Sequence, residues 1–191
     1  LYLASTQIDA SRTMQNDDFV IDSLASLAKK TGFVSQNFSE ATAQALAPLE
    51  PFAAYVITQA IQRYGQNERS LFSFLNARGR NSLSEYEGKI YQLQCCYDYI
   101  YYNFYSYLKE ANADSMQWSS MQVAIERVEG QLWDTKTDLV DAIKLVKAIG
   151  LLNLFGNASF KMNREDTALY AKTALNIENP TGLLKKLEQF K

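Results

Sequence analysis

Arg69 is the side chain whose context points most directly to chemistry. It stands in Gly65-Gln66-Asn67-Glu68-Arg69-Ser70-Leu71-Phe72-Ser73-Phe74-Leu75. Gly65 reads as the C′ residue that ends one helix, and Asn67 as the cap of the next. Leu71, Phe72 and Leu75 then repeat at helical spacing and give that helix one apolar face. Arg69 falls in the first turn, where a cation opposes the positive end of the helix dipole. An anion nearby reverses that penalty. A planar guanidinium suits a phosphate, which it grips with two N–H groups. The plainer reading is a surface pair with Glu68 or another carboxylate, worth under about 1 kcal/mol.

The other reactive types offer less. Histidine is absent, which excludes imidazole as base or metal ligand within this chain. The two cysteines, Cys95 and Cys96, are adjacent. Neighbours form a strained disulfide at best and lack the spacing of a zinc site, so they read as two buried thiols in a reducing compartment. Asp17-Asp18 and Glu165-Asp166 resemble catalytic carboxylate pairs, but both fall at helix starts, where acids belong electrostatically. Eight of the twelve tyrosines lie between Tyr86 and Tyr107. They could stack bases, yet only Lys89 and Lys109 accompany them, so core packing with hydroxyls reaching outward is the preferred reading. Lys185, Lys186 and Lys191 share the last helix with Glu188, and Glu178 precedes it. That pattern suits a solvated face better than a DNA-reading one.

The stretch around Arg69 resembles the lid helix of AAA+ ATPases related to origin-recognition proteins. There a Gly-polar-x-Arg-x-x-Leu motif holds a "sensor 2" arginine over the nucleotide phosphates. Gly65 and Arg69 stand four apart, one more than in that motif, a rotation of roughly 100° on a helix. Closer still is a lid segment of large bacterial P-loop ATPases, many of them beside phage-defence genes. These carry a Pro-x-x-Ala helix followed by Gly-Gln-Asn-Glu-Arg-Ser-Leu-Phe-Ser-Phe-Leu. The matching lead-in here is Leu49-Glu50-Pro51-Phe52-Ala53-Ala54. The likeness is specific from Leu49 to Ala77. It is weaker from Tyr91 to Phe155, through Leu93-x-x-x-Tyr97-Asp98-Tyr99-Ile100 and Lys147-Ala148-Ile149-Gly150-Leu151-Leu152-Asn153-Leu154. No Gly-x-x-x-x-Gly-Lys-Ser/Thr occurs, so the phosphate-cradling loop is not in this sequence. The chain begins with Leu1 and is expected to be a segment of a larger protein.

The elements that must hold Arg69 in place are helical. Eight Gly and three Pro in 191 residues are few, which favours helices over a turn-rich β architecture. Asp17 or Asp18 opens a helix with Phe19, Val20, Leu24 and Leu27, ended by Gly32. Ser39 opens a short alanine-rich helix stopped by Pro48. Pro51 starts a helix running to Tyr64. With the Asn67 helix, which ends at Gly79, it forms an αα-hairpin. Ser82-Leu83-Ser84-Glu85 matches a capping box. The span from Lys89 to Glu110 has no Gly or Pro, and its period predicts one helix, although Tyr97, Tyr99 and Tyr101 also alternate as a strand would. Ser115 begins a helix with Trp118, Met121, Ile125 and Val128, closed by Gly130. Thr135 or Thr137 leads a long helix with Leu139, Val140, Ile143, Val146, Ile149 and Leu152. Asn163 and Asn179-Pro180 each start one more. The last three resemble the helical part of a winged helix whose wing would follow Lys191.

The expected fold is therefore all-α. Residues 1–80 form an ATPase-lid-like region, 81–135 a tyrosine-rich helical region, and 136–191 the winged-helix-like helices. The resemblance implies a non-catalytic lid of an ATP-binding P-loop ATPase. It would sense nucleotide through Arg69 and Asn67 and pass that state to the C-terminal helices. The ATP would bind mostly to sequence outside this chain, and the family's company implies a part in phage defence. The alternative is a free-standing all-α interaction module. The expected partners are the rest of its own polypeptide, and a protein partner or second copy. A net charge of −2 offers no field for tight DNA binding. The longest apolar run, Ala148 to Phe155, is far short of the roughly 20 residues that span a bilayer. A cytoplasmic location is expected.

Overall fold

Glu50, Thr135, Asn163 and Asn179 each sit one residue ahead of a helix and accept a backbone N–H from its first turn. These caps satisfy donors that a helix start leaves orphaned, and they set much of the architecture. The computed structural model of the chain describes residues 18–65, 69–76, 79–110 and 112–190. Among them it is all-helical: α1 (Asp18–Lys30), α2 (Glu40–Ala45), α3 (Pro51–Tyr64), α4 (Arg69–Asn76), α5 (Leu93–Asn103), α6 (Tyr105–Lys109), α7 (Ser115–Glu129), α8 (Lys136–Phe155), α9 (Arg164–Thr173) and α10 (Pro180–Leu187). A single 3₁₀ turn spans Leu83–Glu85. The one β contact among the described residues is an isolated parallel bridge between Leu49 and Tyr91. No helix of the described residues is long and apolar enough to cross a membrane.

The 20-residue α8 is the spine, packed against α7, α5, α3 and α10. Helix α3 lies at the crossing of α1, α5, α8 and α4, and α9 packs on α1 and α10. The buried apolar residues form one cluster that runs through all three sequence regions, from Ile21 to Leu184. Helix α3 is the most deeply set of these elements. Phe52, Ala53, Val56 and Ala60 are fully enclosed.

Most of the expected helices are present, with four differences. First, Lys89–Glu110 is not one helix. Residues before Leu93 leave the helical path because Tyr91 donates to Pro48 O and accepts from Glu50 N. A second break falls at Phe104 (φ −116, ψ 18). There Asn103 turns its side-chain amide onto Tyr99 O at 2.8 Å, a bond that competes with continuing the helix. Second, the capping box at Ser82 is not made. The Ser82 hydroxyl bonds the Ser84 hydroxyl and Gly79 N instead, and only one 3₁₀ turn forms. Third, Gly65 ends α3 in an extended conformation (φ −75, ψ 131), not the left-handed one of a C′ glycine. The left-handed glycine is Gly32, at φ 71.

Fourth, two helices bury a different face from the expected one. In α4 it is Phe74 with Leu75 that enters the core, while Phe72 is 57% exposed. Phe74 follows Leu71 by three residues and so shares its side; Phe72 is one residue on, about 100° away. In α8 the enclosed residues are Ala142, Leu145, Ala148, Leu151, Leu152 and Phe155. Of the predicted set only Leu152 is among them. Leu139, Ile143, Val146 and Ile149 are half-buried, and Val140 is exposed. Counting bulky residues picked the flanking side, because two alanines mark the closest packing.

Candidate functional site

Arg69 is the first residue of α4. Asn67 lies outside the described residues, as does Lys191. What the structure gives for the Arg69 site is therefore its mounting. Helix α4 is held by Phe74, whose ring meets Tyr99 at 4.8 Å and Tyr91 at 5.5 Å, both edge-on. Such contacts add roughly 0.5–1.5 kcal/mol to area burial and fix orientation. The helix ahead of it, α3, is anchored at both ends by buried polar groups.

At the far end of α3, Tyr64 sits in a cage of Phe104, Tyr107, Trp118 and Phe155. Its hydroxyl donates to Asp114 Oδ2 at 2.7 Å and accepts from Trp118 Nε1 at 3.1 Å. Burial pushes its phenol above the ordinary range. The neighbouring Arg63 reaches Asp114 at 3.5 Å and Leu154 O at 3.4 Å, and its guanidinium lies 4.8 Å from the centre of the Phe155 ring. Gly65 follows Tyr64 directly and stands four residues ahead of Arg69.

At the start of α3, Glu50 is completely buried. Its Oε2 accepts from Phe52 N at 3.0 Å, and its Oε1 from the Tyr170 hydroxyl of α9 at 2.7 Å. Burial raises its carboxyl from 4.5 to about 7, against the opposing pull of the Tyr170 hydroxyl and the Phe52 and Ala53 amides. The same desolvation pushes the Tyr170 phenol and the Cys96 thiol well up. A second bond ties this corner to α9: Gln92 Nε2 donates to Ala174 O.

The remaining candidates resolve as structural groups. Cys95 is half-buried and Cys96 buried; both are free thiols. Burial raises Cys95 to about 11, so neither is an activated nucleophile. Tyr91, Tyr97 and Tyr99 are core residues, whereas Tyr102 and Tyr105 are exposed. Arg80 lies 5.0 Å from the Tyr102 ring centre and Lys109 5.5 Å from that of Tyr105. Asp166 is buried and bound by Lys30 at 2.6 Å, tying α9 to α1. Leu183 and Leu184 of α10 are buried against the chain itself. Lys186 is engaged with Asp134 at 3.1 Å and lies over Trp133; Lys185 is exposed. Among the described residues no group of His, Cys, Asp or Glu could hold a metal ion.

Sequence reasoning missed two features. Glu50 was quoted only as part of a lead-in. Its signal was a carboxylate directly before Pro51 and between apolar neighbours, a place where an N-cap is buried with its helix. The second is an apolar groove of about 700 Å³ between α7, α8 and α10, lined by Met116, Met121, Val146, Ile149, Leu184 and Leu187. It lies on the side of α8 that the bulky residues marked. Comparison of the chain with protein-family models, with curated proteins and with solved structures finds no match.

Proposed function

We propose that this chain is a non-catalytic helical lid and relay of a P-loop ATPase, with Arg69 as its nucleotide-sensing group. The observation that carries this reading is the position of Arg69 at the first residue of a short helix whose Phe74 and Leu75 are locked in the core. A guanidinium carried at the start of such a helix suits a γ-phosphate supplied from outside the chain. Its interaction exists only when that phosphate is present, so nucleotide state can bias the arrangement of the lid. Helix α3 offers a route onward. It is bonded to α7 through Tyr64 and to α9 through Glu50. The helices α8, α9 and α10 are read as the helical part of a winged helix receiving that signal. A role in phage defence would follow from the family likeness alone.

The test is nucleotide binding by the polypeptide that carries this chain with its phosphate-binding loop. Arg69→Ala should weaken a fluorescent ATP analogue more than the matching ADP analogue, and lower turnover, with the helical circular dichroism unchanged. Equal affinities and turnover in mutant and parent would refute the role. The groove between α7, α8 and α10 favours a second reading, a helical interaction module without nucleotide chemistry, and unaltered binding by the mutant would leave that one standing.

A further inference from the structure

The corner at Glu50 joins parts of the chain that are remote in sequence. Pro48 and Glu50 bond Tyr91 on both sides of the Leu49–Tyr91 bridge. Gln92 bonds Ala174 O, and Tyr170 bonds Glu50 across 120 residues. Phe52 packs on the Tyr170 ring at 5.1 Å. Helix α9 is thus docked on the start of α3 through one fully enclosed carboxyl. The groups facing that carboxyl are the Tyr170 hydroxyl from α9, the Cys96 thiol from α5, and the Phe52 and Ala53 amides of α3 itself. None of them is a cation. Helix α1 also packs on α9, but its Lys30 is taken by Asp166. A buried carboxylate without a cationic partner is costly; the hydrogen bonds it accepts offset part of the cost, and protonation or contact with water removes the rest.

We propose that the Glu50–Tyr170 pair is a proton-controlled latch between α3 and the α9–α10 pair, closed while Glu50 is protonated and loosened when it is not. The idea stands apart from the nucleotide reading, since it concerns only contacts within the chain. The direction follows from linkage. The closed form binds the proton more tightly than an open form in which Glu50 meets water at its ordinary value. Stability of the closed form is full below 4.5, falls as pH rises, and is lost above about 7. Between pH 5 and pH 8 the opening constant should rise about 70-fold.

Native-state hydrogen exchange on the full 191-residue chain tests this, read at the backbone amides of α9 and α10 between pH 5 and 8 in low urea. After correction for intrinsic exchange, these amides should open about 70-fold more readily at pH 8 than at pH 5. Their urea dependence should be smaller than that of α8, which marks opening short of unfolding. Glu50→Gln should flatten the pH response. Tyr170→Phe should move the rise to higher pH, because the hydroxyl that favours the anion is gone. The proposal is overturned if α9 and α10 open only with the whole molecule, at the urea slope of α8. It is equally overturned if Glu50→Gln keeps the pH response, or if Tyr170→Phe leaves its midpoint in place.

Discussion

Replacing Tyr64 with phenylalanine removes one oxygen from the chain and leaves the ring that fills the cage at the end of α3. Two bonds go with it. The first is to Asp114 Oδ2 at 2.7 Å. Hydrogen bonds to charged groups contribute about 1.5–3 kcal/mol. Asp114 keeps its contact with Arg63 and is 18% exposed at the side chain, so water can partly replace the lost donor and the lower end applies. The second bond is accepted from Trp118 Nε1 at 3.1 Å. Trp118 is 2% exposed, so its N–H is left without a partner, at about 1–3 kcal/mol. Against this, the phenylalanine buries no hydroxyl. The balance is a loss of about 2 kcal/mol, or roughly 4–8 °C in Tm for a chain of this size. Urea unfolding followed by far-ultraviolet circular dichroism measures it without relying on Trp118 as a probe. A double-mutant cycle with Trp118→Phe should give a coupling of about 1 kcal/mol or more, since either change alone breaks the same bond. A Tyr64→Phe loss below about 0.5 kcal/mol, or strict additivity in the cycle, would refute the claim that polar contacts rather than ring packing secure the end of α3.

Gly32→Ala should cost about 2–4 kcal/mol in the same assay. The left-handed backbone contributes roughly 1–2 kcal/mol, and the new Cβ would stand 2.6 Å from the Ser159 carbonyl oxygen; Gly79→Ala, whose Cβ among the described residues meets Ser82 Cβ at 4.0 Å, should stay within about 0.5 kcal/mol. Cys95 and Cys96 should react with a thiol reagent at pH 8 many-fold more slowly in the folded chain than in urea, because burial holds both thiols protonated; equal rates would show that the thiols are accessible. In a shift assay at about 150 mM salt the chain should bind double-stranded DNA more weakly than roughly 1 μM, since Lys186 is already paired with Asp134 and a strong binder typically makes 6–10 phosphate contacts; tighter binding that falls steeply with salt would reverse this.

Residue type and spacing revealed the helices well, and for a local reason. A cap and its helix lie within three residues, so Ser39, Asn163 and Asn179 could be read directly, Thr135 as one of two candidates beside Thr137, and Pro51 and Pro180 at helix starts. The α7 core set of Trp118, Met121, Ile125 and Val128 was legible because those four recur at helical spacing, although Met116 and Val123 add exposed apolar surface off that face. Helix α8 is apolar on more than one side, so periodicity marked the bulky flank while the closest packing went to Ala142 and Ala148.

The candidate site was less legible because its anchors are long-range. Tyr64 bonds across 50 and 54 residues, and Glu50 across 120. No window of sequence contains such a pair. What a sequence can show is a polar residue inside an apolar run, and burial then demands a partner from somewhere in the fold. Glu50 met that description, between Leu49 and Pro51-Phe52. Its cap to Phe52 satisfies one oxygen locally. The other oxygen takes its donor from the Tyr170 hydroxyl, far along the chain. Tyr170 can be that donor only if α9 docks on the start of α3. The docking of α9 on the start of α3 is therefore tied to one buried carboxyl that draws its second donor from 120 residues away.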